Sequence, residues 1–272
     1  MSQLHFGFAQ VRDPETVPEG CFLCVAPENG GLDHLNAETV GNRPIFLLLM
    51  PLPGDETDEG LRLHFKFMAG WMATRNLSPM AVGYGEEWYN GSQTIEQKDA
   101  IKARVDHALT LVKEYWPGAY TVQIEPWFND WLELGPAYYH PPFACDVLAI
   151  DMYLWPEGSE MFHTLGMPLT PDAPYAKFYL EVGRLVEWAL ARFPQPVMLF
   201  PQAAYGPDPG AFWSRMPTPP QLRWWYELAL THDRIIALCF YARQSLHPGI
   251  SALDQHPEHW AEVLREIAQG RA

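Results

Sequence analysis

At 272 residues the chain is long enough to bury a sizeable core, and length alone allows one large domain or two small ones. A composition of 48% hydrophobic, 19% charged and 14% aromatic residues excludes a disordered or fibrous chain. The formal net charge of -15 argues against nucleic acid and anionic membranes as partners, because binding them depends on Lys and Arg neutralising phosphates.

Eight short apolar segments recur, each closed by Pro, Gly or polar residues, at 4–10, 21–27, 44–51, 81–89, 120–127, 146–155, 196–206 and 234–244. Most are followed by a helix-like stretch, which is the pattern of a parallel sheet with crossover helices. Eight such units close a barrel, so the expected fold is α/β, a (β/α)8 TIM barrel forming a single domain over 1–272. The first two crossovers are poorly marked: VRDPETVPEG holds two Pro and GLDHLNAETVGN is short, so irregular first helices are expected. After the fourth segment, Ile101, Val105, Ala108, Leu109 and Val112 share one helical face behind a capping box of Thr94 and Gln97. Pro-rich loops at 126–142 and 205–220 follow the fifth and seventh segments. Phe178, Val182, Leu185, Val186, Ala189 and Leu190 mark the sixth helix, and Trp260, Val263, Leu264 and Ile267 the eighth.

Barrel enzymes build their sites from strand ends and loops at the C-terminal face, so polar residues there carry a functional reading. Alternation in the fifth segment sends Val122 and Ile124 toward the helices and Thr121, Gln123 and Glu125 inward. In the sixth it sends Ala149, Asp151 and Tyr153 inward, and in the eighth Ala237, Cys239, Tyr241 and Arg243. In the fourth, small Ala81, Gly83 and Gly85 share a face with Glu87, whereas Glu86 leans outward unless the strand bulges at Gly85. Glu86, Glu87, Glu125 and Asp151 are the candidate catalytic carboxylates, since clustered acids raise one another's pKa and so keep a proton available near neutral pH. A buried ion-pair network of Glu125, Asp151 and Arg243 is the competing structural reading. Trp88, Tyr89, Trp127, Trp131, Tyr153, Trp155, Tyr205 and Trp213 all fall at or after strand ends, where aromatic faces stack on pyranose rings, and Gln202, Tyr241 and Arg243 offer hydrogen bonds to a sugar.

The strand order and the GEEW at the end of the fourth segment resemble the clan A glycoside hydrolases. Those are retaining barrels whose acid/base Glu follows an Asn at the end of strand four and whose nucleophile Glu ends strand seven. The resemblance implies a carbohydrate substrate, Glu87 as acid/base and Glu86 in the place of the Asn. It also puts Gln202 at the nucleophile position, and an amide cannot form a glycosyl-enzyme. Three routes remain. Glu87 as acid with Glu125 or Asp151 activating water would invert configuration, which requires carboxyls roughly 6.5–9.5 Å apart. The adjacent Glu86 and Glu87 are also similar to the Asp-Glu pair of family twenty hexosaminidases, in which the substrate's acetamido group attacks. The third route is a barrel that binds glycan without cleaving it, for instance within a larger phage or cell-surface assembly.

No metal or cofactor is expected. The ten His form neither HExxH nor a strand-end HxH, and His5 reads as a core residue facing inward with Gly7 and Ala9. Cys21 and Cys24 stand three apart in a strand and point to opposite faces, and with Cys145 and Cys239 they read as buried thiols. GxSxG and phosphate-cradling glycine loops are absent from the sequence. The N-terminus has no basic region followed by an apolar one, and no long apolar run occurs; a cytoplasmic and a phage-encoded protein both fit, and the oligomeric state is left open.

Overall fold

The computed structural model describes residues 4–9, 14, 17, 19–27, 35–86, 88–89, 93–126, 143–152, 179–201, 204–205, 219–241 and 251–252. Its strands are β1 (His5–Ala9), β2 (Phe22–Val25), β3 (Ile45–Leu49), β4 (Pro79–Glu86), β5 (Tyr120–Pro126), β6 (Val147–Met152), β7 (Val197–Pro201), β8 (Ala204–Tyr205), β9 (Ile235–Tyr241) and β10 (Ser251–Ala252). Eight of them close a parallel barrel in the order β1-β2-β3-β4-β5-β6-β7-β9, while β8 and β10 form a separate antiparallel pair. The expected eight-stranded barrel with alternating helices is therefore present. By contact density the chain divides into two compact units, Arg12–Ile150 and Met1–Val11 with Asp151–Ala272.

In the unit Arg12–Ile150, helices α1 (Ala37–Val40), α2 (Asp58–Thr74) and α3 (Ile95–Tyr115) accompany β2 to β5. α1 is a single turn, opened by Asn36, whose side chain accepts from Glu38 N and Thr39 N. That matches the weak marking of this crossover in the sequence. α2 is capped by Thr57 and buries Leu61, His64, Phe65, Met68 and Met72, a stripe at helical spacing. α3 opens on the expected box, with Thr94 Oγ1 accepting from Gln97 N at 3.3 Å and Gln97 Oε1 accepting from Thr94 N at 2.8 Å. Its buried side includes Val105, Ala108, Leu109 and Val112 from the expected stripe.

The faces of the strands follow from two observations. Tyr84 packs its ring on Phe65 of α2, so Val82 and Tyr84 look toward the helices. A Cβ placed on Gly83 would meet Phe46 and Leu48 side chains at 3.3 Å, so those three share the inner face. Partners across a ladder point to the same side. Cys24, paired with Phe46, therefore joins the inner set.

In the other unit, β1 pairs with β9 without interruption, from His5 with Ala237 to Ala9 with Tyr241. Phe6 meets Tyr226 of the helix α5 (Pro219–Leu230), and Phe8 meets Phe240, so these face outward. His5, Gly7, Ala9, Ala237 and Cys239 take the inner face, as the alternation predicts. A π-helical turn, Tyr179–Gly183, leads into α4 (Arg184–Arg192), which buries Val186 and Ala189. Arg234 donates to the carbonyl oxygens of Leu190, Phe193 and Gln195 and so satisfies the end of α4. The expected eighth helix, Trp260 to Ile267, lies outside the described residues.

Candidate functional site

The C-terminal end of β4 departs from a regular strand. Gly83 pairs with Val122 of β5, but the next partner of Ile124 is Glu86, so Tyr84 and Gly85 together stand opposite Gln123 alone. This is a β-bulge, and Gly85 makes it possible with φ at +65°, a backbone region that other residues enter only with strain. A Cβ there would lie 2.3 Å from Trp88 Cζ2. The bulge advances the register by one, so Glu86 takes the inner-face position that an unbroken strand would give to Gly85. Glu86 is exposed; Glu87, expected on that face, lies outside the described residues.

On the helix side of the bulge is a polar cluster that sequence reasoning missed. Asp55 Oδ2 accepts from Leu52 N at 2.9 Å, lies 2.9 Å from His64 Nδ1, and accepts from the Tyr84 hydroxyl at 3.2 Å. Arg104 donates to the same hydroxyl at 3.1 Å. Burial, set against the hydrogen bond from Arg104, pushes the Tyr84 phenol up to about 12. The signal for this cluster was a Tyr in a helix-facing register and a His on the apolar stripe of a helix, each requiring a buried partner.

Trp88 folds back over this cluster. Its ring stacks on Tyr84 with centroids 5.6 Å apart, its Nε1 donates to Tyr84 O at 2.9 Å, and the Arg104 guanidinium lies 5.5 Å from its ring. Tyr89 is buried edge-on against Phe143. Trp88 packs on the bulge, and Tyr89 joins the segment after it to Phe143.

Glu125 stands on the opposite face from the one expected. Thr121 pairs with Val82, which looks toward the helices, and alternation carries Gln123 and Glu125 to that side, leaving Val122 and Ile124 on the inner face. The carboxylate is fully buried, accepts from Gln123 Nε2 at 2.6 Å, and accepts from Tyr89 N at 3.3 Å. Its hydrogen bonds tie the strand to the segment after β4. The sequence misled because both faces of β5 are buried, so the apolar Val122 and Ile124 carry no information about which side meets the helices. Nearby Cys145 is buried, which pushes its thiol up to about 12.

Asp151, near the end of β6, is also buried, at 5% exposure. Tyr205 lies in β8 beside Ser251, and Tyr241 ends β9 beside Ala9. Trp127, Trp131, Tyr153, Trp155, Gln202, Trp213 and Arg243 lie outside the described residues. Cys21, Cys24, Cys145 and Cys239 are buried free thiols.

No protein-family model matches the chain, and no curated protein sequence matches it. Solved structures do. The chain is similar to the Ignisphaera aggregans GH53 catalytic domain, at 14% identity and TM-score 0.54, over 91% of this chain and 82% of that one. It is similar to Bacteroides uniformis β-glucuronidase 2, at 12% identity and TM-score 0.51, over 88% of this chain and 30% of that one. A β-D-glucuronidase of Dictyoglomus thermophilum matches at 10% identity and TM-score 0.51, over 90% and 45%. The chain thus spans less than half the length of either glucuronidase. At these identities the likeness defines the fold, a TIM barrel of the kind these glycoside hydrolases share.

Proposed function

We propose that the protein is a glycoside hydrolase acting from the C-terminal end of β4. The observation that carries this reading is the Gly85 bulge, which ends the regular pairing of β4 and turns an exposed carboxylate, Glu86, to the inner face. Glu87 serves as general acid, the role implied by the clan A resemblance, and passes its proton to the leaving-group oxygen as the glycosidic bond breaks. Glu86, one residue away, raises the pKa of its neighbour and keeps that proton in place near neutral pH. A second carboxylate takes a proton from the water that attacks the anomeric carbon. Glu125 drops from this role because Gln123 and Tyr89 hold it on the helix side. The fold shared with a GH53 domain and with β-glucuronidases supports a carbohydrate ligand.

A second reading, a barrel that binds glycan without cleaving it, is favoured by Gln202 at the position where clan A enzymes carry the nucleophile. The two are separated by assaying the protein and its Glu87→Gln variant on chromogenic hexosides and polysaccharides. Turnover that falls by about a hundredfold or more in the variant is expected for a lost general acid. Glycan binding with no turnover from either protein would establish the second reading.

A further inference from the structure

We infer that Arg104 of α3 is a positioning residue for the end of β4: it grips Tyr84 and Trp88, on either side of Gly85 and Glu86, and so sets how that strand end is presented. The inference rests on the reading of this strand end as the reaction site, and it adds a side chain that stands on a helix.

Arg104 differs in its partners from other cations near it. Arg62 pairs with Asp58 at 3.0 Å and with Glu114 at 2.7 Å, Lys113 pairs with Asp146 at 2.6 Å, and Lys102 pairs with Asp106. Arg104 has no carboxylate partner among the described residues. Its guanidinium donates to the Tyr84 hydroxyl at 3.1 Å and lies 5.5 Å from the Trp88 ring, while its Nε is buried without a hydrogen-bond partner. Partial desolvation of a cation with one N–H left over costs stability. On a protein of net charge -15, where acids are plentiful, a guanidinium in that state points to a task set by what it touches.

What it touches is a closed loop. Trp88 Nε1 donates to Tyr84 O at 2.9 Å, so the chain that leaves β4 at Tyr84 is tied back to it at Trp88. The Trp88 ring stacks on Tyr84 and lies against Gly85, where a Cβ would approach it to 2.3 Å. Arg104 meets both ends of this tie. The Tyr84 hydroxyl is in turn held from two directions, accepting from Arg104 and donating to Asp55 Oδ2 at 3.2 Å. That oxygen also accepts from Leu52 N at 2.9 Å, which anchors the arrangement to the turn before α2. A hydrocarbon at 104 could fill the same space, but it could neither donate to the hydroxyl nor attract the face of an indole. Rates depend so steeply on near-attack geometry that a displacement of about 1 Å matters.

Two variants of the full chain, Arg104→Met and Arg104→Lys, test this by kinetics and by exchange of the Trp88 indole N–H, whose NMR signal is identified by its loss in Trp88→Phe. Arg104→Met should lower kcat by about tenfold or more per folded molecule and leave KM within about twofold. The loss should be greater for glycosides with basic leaving groups, because misplaced proton donation affects those most. Its Trp88 indole N–H should exchange at least about tenfold faster while the other indoles are unchanged. Arg104→Lys keeps a donor and a cation at the ring and should recover most of both effects. Merely structural stabilisation predicts instead a loss that follows the folded fraction and is equal for all substrates. That result, or an indole N–H indifferent to Arg104→Met, would overturn the inference. If the wild type turns over no glycoside, the proposed hydrolase reading fails by itself. The indole exchange then decides alone: acceleration in Arg104→Met with recovery in Arg104→Lys upholds the positioning role, and unchanged exchange overturns it.

Discussion

β1 with β9 and β4 with β5 are both parallel pairs, and they differ in one respect. The first pair runs in step over five residues, from His5 to Ala9. The second loses step at Gly85. In the regular pair, alternation alone places His5, Gly7 and Ala9 on the inner face, as read from sequence. In the bulged pair, one inserted residue transfers the inner position from Gly85 to Glu86 and makes the local geometry depend on Trp88 and Tyr84. One carboxylate, Glu86, is presented where regular pairing ends.

The strongest way to break this difference is Gly85→Ala. A methyl group would strain a backbone at φ +65° and collide with the Trp88 ring, 2.3 Å away. Strain and overpacking together should destabilise the protein by about 2–4 kcal/mol, read from urea unfolding. If the bulge is as described, activity should fall further than the residual folded fraction accounts for; a loss of less than about 0.5 kcal/mol would contradict the geometry.

Tyr84→Phe is a smaller perturbation from the helix side. Removing the hydroxyl leaves Asp55 and Arg104 without that contact and should lower stability by about 1–2 kcal/mol. Its phenol is pushed up to about 12, chiefly by burial, from an ordinary value of 10.0. A raised folded-state pKa contributes stability that is complete below the unfolded value and lost as pH rises through the folded one. Wild type should therefore lose stability between pH 10 and about 12 relative to Tyr84→Phe. Parallel pH profiles for the two proteins would remove Tyr84 from the account.

The same contrast explains what was legible in the sequence. Strand count, the Thr94–Gln97 box and the stunted α1 were readable because each rests on local chemistry: β-forming runs, reciprocal capping and a short, poorly patterned crossover. The inner face of β1 and β9 was readable because small residues alternate there with Phe. The facing of Glu125 was not, because parallel strands bury both sides and the choice is made by register with β4, which no stretch of β5 encodes. The Asp55, His64, Tyr84 and Arg104 cluster was hidden for a related reason, since its members lie on α2, β4, α3 and the turn before α2. Gly85 was visible as a site where a bulge is easy, and only the pairing with β5 settled that it occurs there.

Leaving-group dependence tests the central claim most directly, because a general acid matters in proportion to the protonation its leaving group requires. With Glu87→Gln, hydrolysis of glycosides with basic leaving groups should fall by about a hundredfold or more, while activated aryl glycosides with acidic leaving groups remain within about tenfold of wild type. Equal loss across both kinds of substrate, or none, would contradict proton donation from the end of β4.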